Sequence, residues 1–299
     1  MTENESQKNN ENITVVKVVD SKCIVGENPL WHPDESKLYW VDIPQGRLMR
    51  YDPAARNTEI VYESDVAIGG FTIQKDGSLL LFMERGAIMQ LDGSDTETII
   101  EELPKERDTR FNDVIADPYG RVFCGTLSSD SHQGRLYRLE TDGSIEVVQE
   151  GIGTSNGMGF TPAGDGFYHT DTRQHTIYLY DYDGETGRIS NRRAFVHIKG
   201  VGRPDGMTVD REGYVWSALW EGKSIVRFTP DGAEDVRVSI PARKVSCLTF
   251  GGQDYSDIYV TTAGGDDRDA GGPGAGALFR VEAGIRGTAE FRSCIQGRR

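Results

Sequence analysis

Val209-Asp210-Arg211-Glu212-Gly213-Tyr214-Val215-Trp216-Ser217-Ala218-Leu219 joins a turn to a strand, and its recurrence along the chain decides the fold. The turn is Asp210–Gly213 and the strand-like run is Tyr214–Leu219, rich in the residues that strands prefer. The same pairing appears at His32-Pro33-Asp34 with Lys37–Asp42 and at Asp76-Gly77 with Ser78–Met83. It returns at Asp117–Gly120 with Arg121–Thr126, Pro162–Gly164 with Gly166–Asp171, and Gly251-Gly252 with Asp257–Thr262. A second turn follows each strand, at Asp52-Pro53, Asp92-Gly93, Asp142-Gly143, Asp183-Gly184, Asp231-Gly232 and, more weakly, Gly284. No stretch carries a sustained helical period.

An apolar or small residue stands just before each first turn: Trp31, Ile73, Ala116, Phe160, Val209 and Phe250. Four positions earlier stand Glu27, Gly69, Asn112, Asn156, Asp205 and Ser246, spaced by 42, 43, 44, 49 and 41 residues. Six units of ~45 residues, each with room for four strands, are the signature of an all-β, six-bladed β-propeller. A β-sandwich has no reason to keep so even a period. The 299 residues then form a tail at 1–13 and one propeller domain at 14–299. Val15–Val19 and Ala289–Ile295 both read as strands, and the first is expected to complete the last blade, because an open ring leaves exposed sheet edges.

Composition supports this reading. Glycine supplies 36 residues, an excess that suits many turns. The net charge of −14 repels phosphate, which argues against nucleic acid and anionic membranes as partners. It also suits a high-salt cytoplasm without requiring one. No apolar run approaches the ~20 residues of a membrane span. The polar opening MTENESQKNNEN has no apolar core of a signal peptide, so a cytoplasmic location is expected. Four scattered cysteines without a C-x-x-C pair read as reduced thiols.

In a propeller the inner strands line a central channel, so residues at one repeat offset form a ring. Glu27, Asn112, Asn156 and Asp205 place two carboxylates and two carboxamides in that ring. Facing carboxylates repel and resist desolvation, and a bound cation compensates both effects. Oxygen ligands without His or Cys suit Ca²⁺, Mg²⁺ or Mn²⁺, with Zn²⁺ and Fe(II) also permitted. Asn156-Gly157 and Asp205-Gly206 could instead be hairpin turns. Another turn follows each too soon for a strand to fit between. Gly153-Thr154-Ser155-Asn156-Gly157 matches the G-x-S-x-G nucleophile elbow, but the strand–turn–helix context of that motif is missing. His169 lies in a strand and reads as structural. The Gly-rich stretch 263–276 reads as a mobile loop of the sixth blade, placed to cover the channel mouth.

These residues also resemble a known family. Cys23-x-x-Gly26-Glu27-Asn28-Pro29-Leu30-Trp31 with Tyr39–Ile43, Arg110-Phe111-Asn112-Asp113 with Gly125-Thr126, Ser155-Asn156-Gly157, and Pro204-Asp205-Gly206-Met207 resemble the SMP-30/gluconolactonase (regucalcin-like) family. The similarity runs from about residue 20 to 295. It implies one divalent metal held by Glu27, Asn156 and Asp205. It implies Arg110 and Asn112 as substrate-binding residues and Asp205 as the catalytic base. The implied reaction is hydrolysis of a small-molecule sugar lactone, such as xylono-, arabinono- or gluconolactone. Asp130 only loosely matches a further acidic residue of some members. The alternatives are a non-catalytic metal- or partner-binding propeller and an aryl-ester or organophosphate hydrolase on the same scaffold.

Overall fold

In a computed structural model of the chain, which describes residues 13–296, 24 strands form six antiparallel sheets of four. Blade one is typical, with strands Gly26–His32, Lys37–Asp42, Arg47–Asp52 and Asn57–Glu63 in spatial order from the axis outward. The inner strands of blades two to six are Ile68–Ile73, Phe111–Ala116, Ser155–Phe160, Arg203–Val209 and Lys244–Gly251. Each inner strand packs on the next, and the ring closes where blade six meets blade one. The fold is a six-bladed β-propeller. The tail expected at 1–13 lies outside the described residues except for Ile13. Among the described residues no helix is long and apolar enough to cross a membrane.

Propeller blades have two buried faces, and this explains the strand sequences. Leu79, Leu81 and Met83 join the core between blades one and two, whereas Leu80 and Phe82 join the core between blades two and three. Alternate residues of one strand thus serve opposite interfaces. The six hydrophobic clusters occupy the six blade–blade interfaces, so the core is itself a ring.

Blade six closes as expected. Its outermost strand is Thr14–Val19, paired antiparallel to Leu278–Glu282. The second expectation for the chain ends is corrected: residues 289–295 form no strand. The segment crosses the blade ends at the pole where the inner strands finish. Arg211 N donates to Arg286 O at 3.0 Å, Gly287 N to Tyr255 O at 2.8 Å, Lys75 N to Ser293 O at 2.9 Å and Cys294 N to Gly120 O at 2.8 Å. The stretch 286–295 therefore ties blades two, three, five and six together. Glu290 turns into the channel, where it accepts a hydrogen bond from Thr208 Oγ1 at 3.2 Å. All four cysteines are free.

Candidate functional site

One device aims the ring of side chains. In all six blades the register between the inner strand and its neighbour slips at the ring offset: between Glu27 and Leu30, Ile68 and Gly70, Phe111 and Val114, Asn156 and Met158, Pro204 and Met207, and Val245 and Cys247. Such a bulge bends the strand and re-aims the side chain beside it. Asn156-Gly157 and Asp205-Gly206 lie inside strands and form no hairpin turn.

Where the inner strands begin, the channel opens into a cavity of about 240 Å³. Glu27, Arg110, Asn112, Asn156 and Asp205 all line it. Gly69 and Ser246 hold the same offset but serve packing. A Cβ on Gly69 would stand 2.0 Å from Phe111 O, so only glycine fits there. Ser246 Oγ donates to Gly26 O at 2.5 Å. Val25, Ile43, Leu127, Thr154 and Thr172 supply much of the remaining wall. Arg203 and Trp220, cross-strand partners in blade five, complete the rim and were not singled out as site residues from sequence. Asp130 does not line the cavity. Residues 264–276 lie at the same pole but stay off the cavity. Gly264 N donates to Cys23 O at 3.0 Å and Gly265 N to Ile24 O at 3.0 Å, which ties this loop to blade one.

Hydrogen bonds fix the orientation of each amide. Thr172 gives its hydroxyl proton to Pro204 O at 2.7 Å, so its oxygen accepts from Asn156 Nδ2 at 3.0 Å. The same Nδ2 donates to Asp205 Oδ1. Asn156 Oδ1 therefore points the other way, buried and without a hydrogen-bond partner. Asn112 Nδ2 donates to Ser155 O at 2.9 Å, and Asn112 Oδ1 accepts from Arg110 Nη1 at 2.7 Å. The same Nη1 donates to Phe111 O at 2.8 Å. Arg110 is thus drawn inward and, among the described residues, makes no surface ion pair.

Electrostatics sharpen the picture. Burial, and then the neighbouring Asp113, push the Glu27 carboxyl well above the usual range. Asp205 is pushed well up by burial and then by Glu27 and Asp113. Asp113, deeper in the channel, is pushed up to about 7 by burial. The thiol of Cys247 lies against Glu27 and is itself pushed up by burial and by these carboxylates. Sequence reading missed Cys247 because the bulge places it one residue past the ring offset.

The donor set fits a hard divalent cation. Glu27 and Asp205, two buried carboxylates of which the first pushes the second upward, stand beside the orphaned Asn156 oxygen and form an oxygen-rich cradle. Among the described residues no group of three His, Cys, Asp or Glu is arranged to hold a metal. The Asn156 oxygen is therefore needed to complete the set.

Comparison with known proteins identifies relatives along nearly the whole chain. The model of the SMP-30/Gluconolactonase/LRE-like region matches residues 25–264. The chain is 50% identical over 294 residues to the pentonolactonase XacC of Haloferax volcanii, covering 95% of this chain and 99% of that one. It is 32% identical over 287 residues to the 6-deoxy-6-sulfogluconolactonase of Pseudomonas putida, covering 93% and 98%. The solved luciferin-regenerating enzyme superposes with a TM-score of 0.87 at 28% identity, covering 94% of this chain and 99% of that one.

Proposed function

The chain belongs to the SMP-30/gluconolactonase/LRE-like family, and from that premise we propose that it hydrolyses a monosaccharide lactone, a pentonolactone first, to the aldonic acid. The observation that carries this reading is the convergence of Glu27, Asp205 and the unpartnered Asn156 Oδ1 in one cavity with Arg110. At about 240 Å³ the cavity is smaller than the ~300–1,000 Å³ of drug-sized ligand sites, which suits one sugar ring and no oligosaccharide.

Glu27, Asn156 and Asp205 would hold a divalent cation. When bound, it supplies positive charge for the oxyanion that forms on the lactone carbonyl and acidifies water. Asp205 takes the proton of the attacking water, the ring C–O bond breaks, and the proton passes to the departing ring oxygen. Arg110 spends its two Nη1 protons on Phe111 O and Asn112 Oδ1. Its Nε and Nη2 protons remain for substrate hydroxyls. Val25, Ile43 and Leu127 form an apolar wall that excludes water around the reacting ester.

A pH-stat assay tests the reading directly. Xylono-, arabinono- and gluconolactone should release acid in the presence of Mn²⁺, Ca²⁺ or Mg²⁺, and chelator should abolish the rate. Phenyl acetate and an aryl phosphotriester, run alongside, should be poor substrates. An enzyme indifferent to chelator, or one faster on the aryl esters, would overturn the proposal.

Arg110→Leu gives a sharper test. KM for hydroxylated lactones should rise by about tenfold or more, since a buried polar group left without its partner costs ~1–3 kcal/mol. An unsubstituted lactone of the same ring size has no hydroxyls to lose and should change little. Equal losses on both substrates would place Arg110 at the carbonyl instead.

A further inference from the structure

Beneath Asn156 lies a hydrogen-bonded pair that the proposed reaction does not use. Ser155 Oγ stands 2.8 Å from His169 Nε2, and the two residues are 0% and 1% exposed. They occupy neighbouring strands of blade four, with the imidazole stacked at 6.3 Å on Phe167. Burial holds the imidazole pKa down to about 3, so the ring is neutral and binds Ser155 as a plain hydrogen-bond partner. Blade three makes room for the pair. A Cβ on Gly125 would stand 1.7 Å from Ser155 Oγ, so glycine at 125 lets the serine sit against the neighbouring blade.

Ser155 does not end the chain of contacts. Its carbonyl oxygen accepts from Asn112 Nδ2 at 2.9 Å, and Asn112 Oδ1 in turn holds Arg110 Nη1 at 2.7 Å. A continuous series of hydrogen bonds and one residue's backbone thus runs from His169 through Ser155 and Asn112 to Arg110. It crosses from blade four to blade three. Neither Ser155 nor His169 lines the cavity.

We propose that Ser155 and His169 form a buried positioning pair that sets the Arg110 guanidinium over the cavity through Asn112, and so determines affinity for the hydroxyls of the substrate. This rests on the lactonase reading above. The physical reason is steric and directional. Arg110 is long, and among the described residues the hydrogen-bond acceptors on its head are Phe111 O and Asn112 Oδ1. Asn112 can present its oxygen to Arg110 only while its Nδ2 is held by Ser155 O. Ser155, paired to Asp171 across the strands, has its side chain held in addition by His169 Nε2 at 2.8 Å. Small displacements of substrate-positioning groups are costly, with ~1 Å worth up to ~10²-fold.

The same pair could serve packing alone, and the test separates the two roles. Ser155→Ala, His169→Phe and His169→Gln are measured on xylono-1,4-lactone and on γ-butyrolactone, singly and in an Arg110→Leu background. Ser155→Ala and His169→Phe should raise KM for the sugar lactone ~10-fold or more while kcat stays within about threefold, as weakened uniform binding requires. γ-Butyrolactone kinetics should be unchanged. His169→Gln, which can still bond the serine, should restore KM. In the Arg110→Leu background the same substitutions should add less than about twofold, because residues in one network are not additive. Mn²⁺ affinity without substrate should stay at the wild-type value. A melting temperature that falls while KM holds, equal losses on the two lactones, or additive effects with Arg110→Leu would each overturn the inference. If His169→Phe does not fold, Ser155→Ala carries the cycle by itself. If the wild type hydrolyses neither lactone, the functional reading falls first and this inference falls with it.

Discussion

Asp205→Ala should abolish lactone turnover and leave the propeller folded. The carboxylate is the candidate base and one of three candidate cation ligands, and loss of a general base alone costs ~10²–10⁴-fold. The fold should survive because Asp205 faces the channel and takes no part in the clusters between blades. In metal-free protein the substitution removes a buried carboxylate whose protonation is pushed upward by burial and then by Glu27 and Asp113. The melting temperature without cation should therefore hold or rise. With Mn²⁺ or Ca²⁺, the wild type should gain thermal stability by ligand linkage, and the variant should lose that gain. Retention of more than about a tenth of the rate would contradict a role as base. A cation-dependent stabilisation that persists in the variant would remove Asp205 from the ligand set.

That experiment probes a residue the repeat itself revealed. Closure of six similar units stacks one offset around one axis, so Glu27, Asn112, Asn156 and Asp205 meet although 178 residues separate the first from the last. The period carries this information, and no local motif is required. What the period cannot carry is a contact specific to one blade. Cys247 sits one place beyond the offset because a bulge shifts it. Ser155 and His169 meet across two strands, and the residues at the register of His169 in other blades, Leu81, Cys124, Ser217 and Val260, are of other types. The G-x-S-x-G match drew attention to Ser155 for nucleophilic chemistry that its buried, inter-blade place does not support. Residues 289–295 misled for another reason. Their pattern suits a strand, but the positions that could extend blade six are already taken, because Leu278–Glu282 pairs on one side with Asp257–Ala263 and on the other with Thr14–Val19. The segment instead lies across the pole, where Ser293 and Ile295 bury into blades two and three. Pairing competition of this kind is a property of the whole ring and is invisible in a short window.

The same competition makes the chain's beginning indispensable. Deleting residues 14–22 should lower the melting temperature by about 10 °C or more, taking several broken hydrogen bonds at ~1 kcal/mol each and ~2–4 °C per kcal/mol. Thr14–Val19 supplies the outer strand of a blade whose other three strands come from the far end of the chain. Its register sets Val15 against Val281 and Val19 against Leu278. Val15 packs on the cluster between blades five and six, and Val18 and Val19 on the cluster between blades six and one. One strand therefore serves two interfaces. Ser21 Oγ adds a bond to Gly276 O at 2.8 Å, which anchors the loop leading into Leu278–Glu282. Without this stretch, Leu278–Glu282 becomes a bare edge strand, a template for pairing with other chains. The truncated protein should consequently self-associate on size-exclusion chromatography. A generic loss of stability and the loss of a specific strand differ in one respect. A synthetic peptide of residues 13–23 should pair with the open edge, as an added strand does in β-augmentation, and restore the melting temperature in a concentration-dependent way. A peptide with Val15, Val18 and Val19 changed to Asp should not. An unchanged melting curve on deletion, or equal rescue by both peptides, would show that ring closure does not depend on this strand.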